Sequence, residues 1–159
     1  MTVFDIDGVL ADVRHRLHHI QNRPKDWDGF FNAAPSDPVL EEGRQALLAA
    51  ARKSQIVYVT GRPERCRQDT LTWLESHGLP VGRLLMRPDT DRRPARFYKA
   101  EVVAQLSDTD EVLRFVDDDA AVVQHLRDMG VAVVHATWMD ESEQQLDLLE
   151  QAQETDGRT

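Results

Sequence analysis

The sequence holds a single cysteine, Cys66, which excludes an intramolecular disulfide and a cysteine-built zinc site. No apolar run approaches the ~18 residues of a membrane span. The opening MTVFDIDGVL carries acids where a secretory signal would carry bases, so a cytoplasmic, reduced setting is expected. There is no internal repeat and no low-complexity stretch. Lysine is scarce: three of the 19 basic residues are Lys and sixteen are Arg.

What remains is the composition of a folded globular chain. It has 159 residues, 41% hydrophobic and 30% charged, the size of one domain. At this length roughly 68–70% of the unfolded surface can be buried, so a core needs no covalent staple. The net charge is −9, but residues 140–159 contribute −6 and residues 1–139 only −3. The acidity is largely a tail property and leaves room for a local basic site facing an anion.

Short apolar runs alternate with helical ones, as in an α/β sheet of parallel strands. Strands are expected at Thr2–Ile6, Gln55–Val59, Leu84–Met86, Val112–Val116 and Val131–His135. Helices are expected from Asp37-Pro38 as N-cap and first turn, and over Pro63–His77, Ala95–Leu106 and Ala120–Met129. Gly78 and Gly130 close the second and fourth of these. Residues 140–153 read as a terminal acidic helix. Residues 11–36 have no clean period and read as an insertion after the first strand.

In doubly wound sheets ligands bind at the carboxyl ends of strands. Asp5-Ile6-Asp7-Gly8 follows the first strand, Thr60-Gly61-Arg62 the second and Asp117-Asp118-Asp119 the fourth. Lys99 lies in the segment opening the third helix. On an extended strand residues i and i+2 face one side, so Asp5 and Asp7 can enter one site. Gly8 lets the chain turn sharply out of the strand. Adding Asp117 and Asp118 makes a like-charge cluster that needs a cation. A hard divalent ion with oxygen ligands fits, with Mg²⁺ the usual choice beside phosphate. A carboxylate nucleophile, a metal, the Lys99 ammonium and the Thr60 hydroxyl are the parts for phosphoryl transfer through an aspartyl-phosphate.

FDIDGVL at 4–10, VTGR at 59–62, Lys99 and VDDD at 116–119 resemble, in order, the four motifs of the haloacid-dehalogenase-like (HAD) phosphatase superfamily. Within it the chain is most similar to the 3′-phosphatase domain of bacteriophage-type polynucleotide kinase. VTGR, RPDTDRR at 87–93, VDDD and AAVVQHLRDMGV carry that likeness. It departs from the pattern at Asp119, where the resemblance calls for Arg, and these 159 residues include no kinase half. The resemblance implies a Rossmann-like three-layer sandwich with a central parallel sheet and a small or absent cap. It implies Asp5 as nucleophile and Asp7 as general acid, then base. Thr60 and Lys99 would hold the phosphoryl oxygens. Mg²⁺ would be held by Asp5, the Asp7 carbonyl and Asp117 or Asp118.

Residues 1–139 are thus expected to form the phosphatase domain, with 11–36 a small cap-like insertion and 140–159 an acidic helix and tail. Thr60 to Lys99 has no room for a large cap, so an open site is expected. The substrate would be a phosphorylated small molecule, a nucleotide or a nucleic-acid 3′ or 5′ end, with no membrane partner. Oligomeric state stays open. Gly61, Arg62 and Arg87 are the candidate substrate contacts. Asp119 reads as a helix cap.

Other readings are weaker. An EF-hand loop starting at Asp5 fails, because its twelfth position is Arg16 rather than Glu. His15, His18 and His19 have metal-ligand spacing but no Cys nearby in sequence. Trp27, Phe30 and Phe31 read as packing for the insertion, and Cys66 as a small buried apolar residue. A receiver-like phospho-acceptor domain uses similar groups, but places its paired acids after the first strand and its phosphorylated Asp after the third. Here the DxD comes first and the adjacent acids follow the fourth strand.

Overall fold

The computed structural model describes residues 1–139 and 148–157. Strands β1 (Thr2–Phe4), β2 (Ile56–Pro63), β3 (Arg83–Arg87), β4 (Arg114–Asp117) and β5 (Val133–His135) form one sheet in the order β3-β2-β1-β4-β5. Every pairing is parallel; Val3 lies beside Val57 on one side and Phe115 on the other. Helices α1 (His18–Gln21), α2 (Trp27–Asn32), α3 (Glu41–Ala51), α4 (Arg67–Ser76), α5 (Ala95–Ser107) and α6 (Ala120–Asp128) surround it.

The alternation of side chains along each strand builds two cores. Val3, Val57, Val59 and Phe115 point to one face, where α5 and α6 supply Val103, Leu106, Val122 and Leu126. Phe4, Ile56, Tyr58 and Val116 point to the other, where Leu47 of α3, Trp73 of α4 and Phe30 and Phe31 of α2 cover them. The result is the expected α/β three-layer sandwich. Strands buried on both faces read as continuous apolar runs, which is why QIVYV stood out.

The boundaries moved in places that matter. β2 runs through Thr60-Gly61-Arg62 to Pro63, with its register against β3 shifting between Thr60 and Pro63. Pro63 is extended, and a 3₁₀ turn at Glu64–Cys66 precedes α4. The helix expected to start at Asp37-Pro38 instead starts at Glu41, with Leu40 at the N-cap and no side-chain cap. Asp37 is withdrawn from capping because it is buried and bonded to arginines, as described below. The expected acidic helix over 140–153 falls mainly outside the described residues. Residues 148–150 are helical and Gln151–Thr155 forms a wider π turn.

The insertion is a real structural layer. Phe30 and Phe31 are buried and meet edge to face, with Trp27 against both. Cys66 is buried and its thiol is held up by burial.

Candidate active site

The site forms where the carboxyl ends of β1 and β4 meet, at the point where strand order reverses from the β2 side to the β4 side of β1. The chain leaves β1 through Asp5-Ile6-Asp7 and turns at Gly8, whose φ is 76°. That is the left-handed region only Gly adopts freely. A Cβ here would also collide with the Asp118 carboxylate.

Four sequence segments converge. Lys99 on α5 is fully buried and its Nζ donates to Asp5 Oδ2 at 2.8 Å and to Asp117 Oδ2 at 2.7 Å. Asp5, Asp117 and Asp118 place carboxylate oxygens within 4.8 Å of one another. Asp5 Oδ1 and Asp118 Oδ1 are buried with no hydrogen-bond partner. One ammonium cannot compensate three carboxylates, and the cost shows in their acidities. Burial raises Asp5; Lys99 opposes this and Asp7 adds to it. Burial pushes Asp117 up to about 7, against Lys99 and with Asp5. Asp118 lies well above the carboxylate range, from burial and then from Asp117 and Asp5. Burial would lower Lys99, but Asp117 and Asp5 overcome it and keep the ammonium charged. An all-carboxylate donor set from Asp5, Asp117 and Asp118, with an orphaned oxygen on Asp118, fits a divalent cation with hard oxygen ligands.

Asp7 faces a second, oppositely charged group. Its Oδ1 accepts from Arg62 Nε at 2.9 Å, Arg62 Nη2 at 2.6 Å and Arg16 Nη2 at 2.8 Å. Both arginines also reach Asp37: Arg16 Nε and Nη2 at 2.8 Å each, Arg62 Nη2 at 2.9 Å. His15 Nε2 lies 2.7 Å from Asp37 Oδ1, and Trp73 Nε1 donates to the Asp37 carbonyl at 2.8 Å. Burial alone would raise Asp7, but Arg16 and Arg62 bring it down to about 2. Asp37, with burial dominant, is raised.

Thr60 is fully buried, and its Oγ1 accepts from the Arg62 amide at 3.2 Å. Arg87 is tied to the β3–α5 loop: it donates to the Arg93 carbonyl at 2.6 Å and lies 5.1 Å over the Tyr98 ring. Asp119 caps α6 through the Ala121 and Val122 amides, and its own amide donates to Asp117 Oδ1 at 3.0 Å. The histidine reading fails: His15 goes to Asp37 and His19 to Asp26, and among the described residues only the Asp5/Asp117/Asp118 group has metal-site spacing.

Sequence reasoning missed Arg16 and Asp37. Arg16 sits in the aperiodic insertion among other basic residues, and Asp37 was hidden by a capping pattern. The one available signal for Asp37 was its place before Pro38, where a helix need not begin. Asp5 is 2% and Asp7 4% exposed, and the insertion carries Arg16 onto Asp7.

A parallel sheet with a buried DxD after its first strand, a Lys on a later helix and an acidic pair after the fourth strand defines a phosphatase of the haloacid-dehalogenase-like class. Residues 1–140 match the polynucleotide kinase PNKP phosphatase domain family, and the chain belongs to it. Among solved structures it is similar to a chain of the Pnkp1/Rnl/Hen1 complex, at 21% identity and a TM-score of 0.72 over 88% of this chain. A chain of the Pnkp1/Rnl/Hen1 RNA repair complex gives 21% and 0.70 over 88%. The chain spans 46% and 43% of the length of those two chains. A Thermotoga maritima protein assigned as a beta-phosphoglucomutase gives 14% and 0.51, covering 92% of this chain and 90% of that one. At these identities the likenesses establish the fold. No curated protein sequence matches significantly. Among the described residues no helix is long and apolar enough to cross a membrane.

Proposed function

We propose that the chain is a Mg²⁺-dependent phosphomonoester hydrolase that works through a phosphorylated Asp5. The carrying observation is that Asp5 Oδ1 is buried without a hydrogen-bond partner while Oδ2 is fixed by Lys99. One oxygen is anchored, and the other has no hydrogen bond to give up before it meets phosphorus.

Asp5 Oδ1 attacks phosphorus in line, the ester P–O bond breaks, and Asp7 gives its proton to the departing alkoxide. Water then loses a proton to Asp7, attacks the same phosphorus and frees Asp5. With both arginines on it, Asp7 is ionised, the form a base needs. To act first as acid it must take a proton from water, which requires Arg62 to move its N–H bonds from Asp7 to the phosphoryl oxygens. That makes Arg62 a substrate contact. Thr60 and Lys99 orient the same oxygens, and Gly61 lets the strand pass close to them. Arg87 holds the β3–α5 loop at the edge of the site. Mg²⁺ would be held by Asp5, Asp117 or Asp118 and the Asp7 carbonyl, and would neutralise developing charge on the phosphoryl group.

The substrate is a nucleic-acid or nucleotide phosphate. The support is family membership and the fold likeness to chains of an RNA repair complex. A small metabolite phosphate is the second reading. The phosphatase domain is assigned to 1–139, and a cytoplasmic setting is part of the same reading.

The test is turnover of 4-nitrophenyl phosphate with Mg²⁺, then of a panel including 3′- and 5′-phosphorylated oligonucleotides. Asp5→Asn should lower kcat at least 10³-fold with an unchanged circular dichroism spectrum, and EDTA should stop the wild type until Mg²⁺ is restored. Near-wild-type turnover by the variant, or activity in EDTA, would refute the assignment. A receiver-like phospho-acceptor would show no turnover at all.

A further inference from the structure

The last described residues do not trail into solvent. Lys25, in the insertion, donates to Gln151 Oε1 at 2.9 Å and pairs with Asp156. Arg96, at the start of α5, pairs with Glu154. Gly157 lies so close to the carbonyls of Arg92 and Arg93 that a Cβ would strike them. Leu149 and Ala152 are buried in the same core as the insertion's Ile20 and Phe30. Leu149, Glu150 and Gln153 form one wall of a cavity of about 660 Å³ whose other wall includes Asp118, Asp119 and His135.

These contacts come from the segments that follow β1, β3 and β4, the three that ring the carboxylate cluster. The segment therefore crosses the rim of the candidate site. It meets that rim charge against charge. Lys25 is 7% exposed and Arg96 33%, each with a carboxylate of the chain's own tail upon it. Residues 148–157 carry three acids and no base. Lys25 also lies 5.6 Å over the Trp27 ring.

We propose that Lys25 and Arg96 are a phosphate-binding rim for a polyanionic substrate, and that residues 148–157 occupy it in the resting chain through Asp156 and Glu154. A substrate with several phosphates beside the scissile one displaces the segment by taking its two cations. A substrate with one phosphate has nothing to exchange for them. A ligand carrying several charges offers both cations a partner at once, whereas the segment holds each with a single carboxylate. The inference rests on the phosphatase reading above, and it adds a site away from the reacting groups.

The experiment compares wild type with Glu154→Gln/Asp156→Asn, using a 3′-phosphorylated oligonucleotide and 4-nitrophenyl phosphate at low salt. The variant should lower KM for the oligonucleotide at least threefold and leave kcat for both substrates within twofold. Lys25→Met/Arg96→Met should raise the oligonucleotide KM at least threefold with little change for the aryl phosphate. An oligonucleotide KM that is unchanged or raised in the carboxamide variant, at a wild-type melting temperature, would overturn the proposal. Amide hydrogen exchange on the unaltered chain is the second measurement. An oligonucleotide with a 3′-hydroxyl should speed exchange in 148–157, and unchanged exchange would also overturn it. If the wild type hydrolyses neither substrate, the phosphatase reading has failed, and the exchange measurement still tests displacement on its own.

Discussion

Asp7 is ionised in spite of its burial, because Arg16 and Arg62 outweigh the desolvation and hold its pKa near 2 against an ordinary 3.8. Between those values the folded chain binds fewer protons than the unfolded one at this residue. Its contribution is therefore complete above pH about 4 and is lost as pH falls toward 2. The gap corresponds to about 2 kcal/mol. Asp7→Asn should show a smaller loss of stability than wild type between pH 4 and 2, followed by circular dichroism in urea. An identical loss would mean the arginine grip contributes nothing. Lys99 has the opposite task. Removing one partner of a buried ion pair costs about 3–5 kcal/mol, so Lys99→Met should lower the melting temperature sharply at pH 7.5. The drop should be smaller at pH 5, below the value of about 7 to which burial pushes Asp117, where that carboxyl is protonated. Mg²⁺ should restore part of the melting temperature to the variant but no turnover; equal drops at both pH values would contradict the charge account.

At the scale of elements, the turn after β1 decides whether a cation can be held. Gly8 has a left-handed backbone, and the Asp118 carboxylate fills the place of its missing side chain. A non-glycine residue there costs about 1–2 kcal/mol in backbone strain, and must also push Asp118 aside. Gly8→Ala should therefore weaken Mg²⁺ binding at least tenfold by titration calorimetry, beyond its effect on melting. Wild-type affinity would show that Asp118 takes no part. Elements were legible where their pattern is local. The β-branched run of β2, the acids after β1 and β4, and Lys99 all stand in strand or helix registers. The long-range pairs were not. Asp37 carries every sign of a helix cap, and only the arrival of Arg16 and Arg62 from elsewhere in the chain turns it into their counter-ion. Arg16 and Arg62 could be seen as basic residues, but their target could not, since no local rule pairs residue 16 with residue 7. Chain length between motifs limits a cap's size but does not show that a short insertion lays Arg16 on Asp7.

At the scale of the whole molecule, the two charge systems make metal binding and pH one question. The carboxyl of Asp117 is pushed up to about 7, chiefly by burial. Its folded value lies above its unfolded one, so the metal-free chain gains stability from this group as pH falls through 7 and loses it as pH rises. A cation must displace that proton. Mg²⁺ affinity should rise between pH 6 and 8, with proton release seen as a dependence of calorimetric heat on the buffer's ionisation enthalpy. Equal affinity across that range and no proton release would place the titrating group elsewhere.

The sheet order has a consequence for synthesis on the ribosome. β1 is three residues long and is completed by Phe4, yet its two neighbours begin at Ile56 and Arg114. Asp5 and Asp7 leave the exit tunnel more than a hundred residues before Asp117 can join them. A nascent or truncated chain ending before β4 therefore holds a DxD turn with one flank bare, and lacks Asp117 and Asp118 for the proposed cation site.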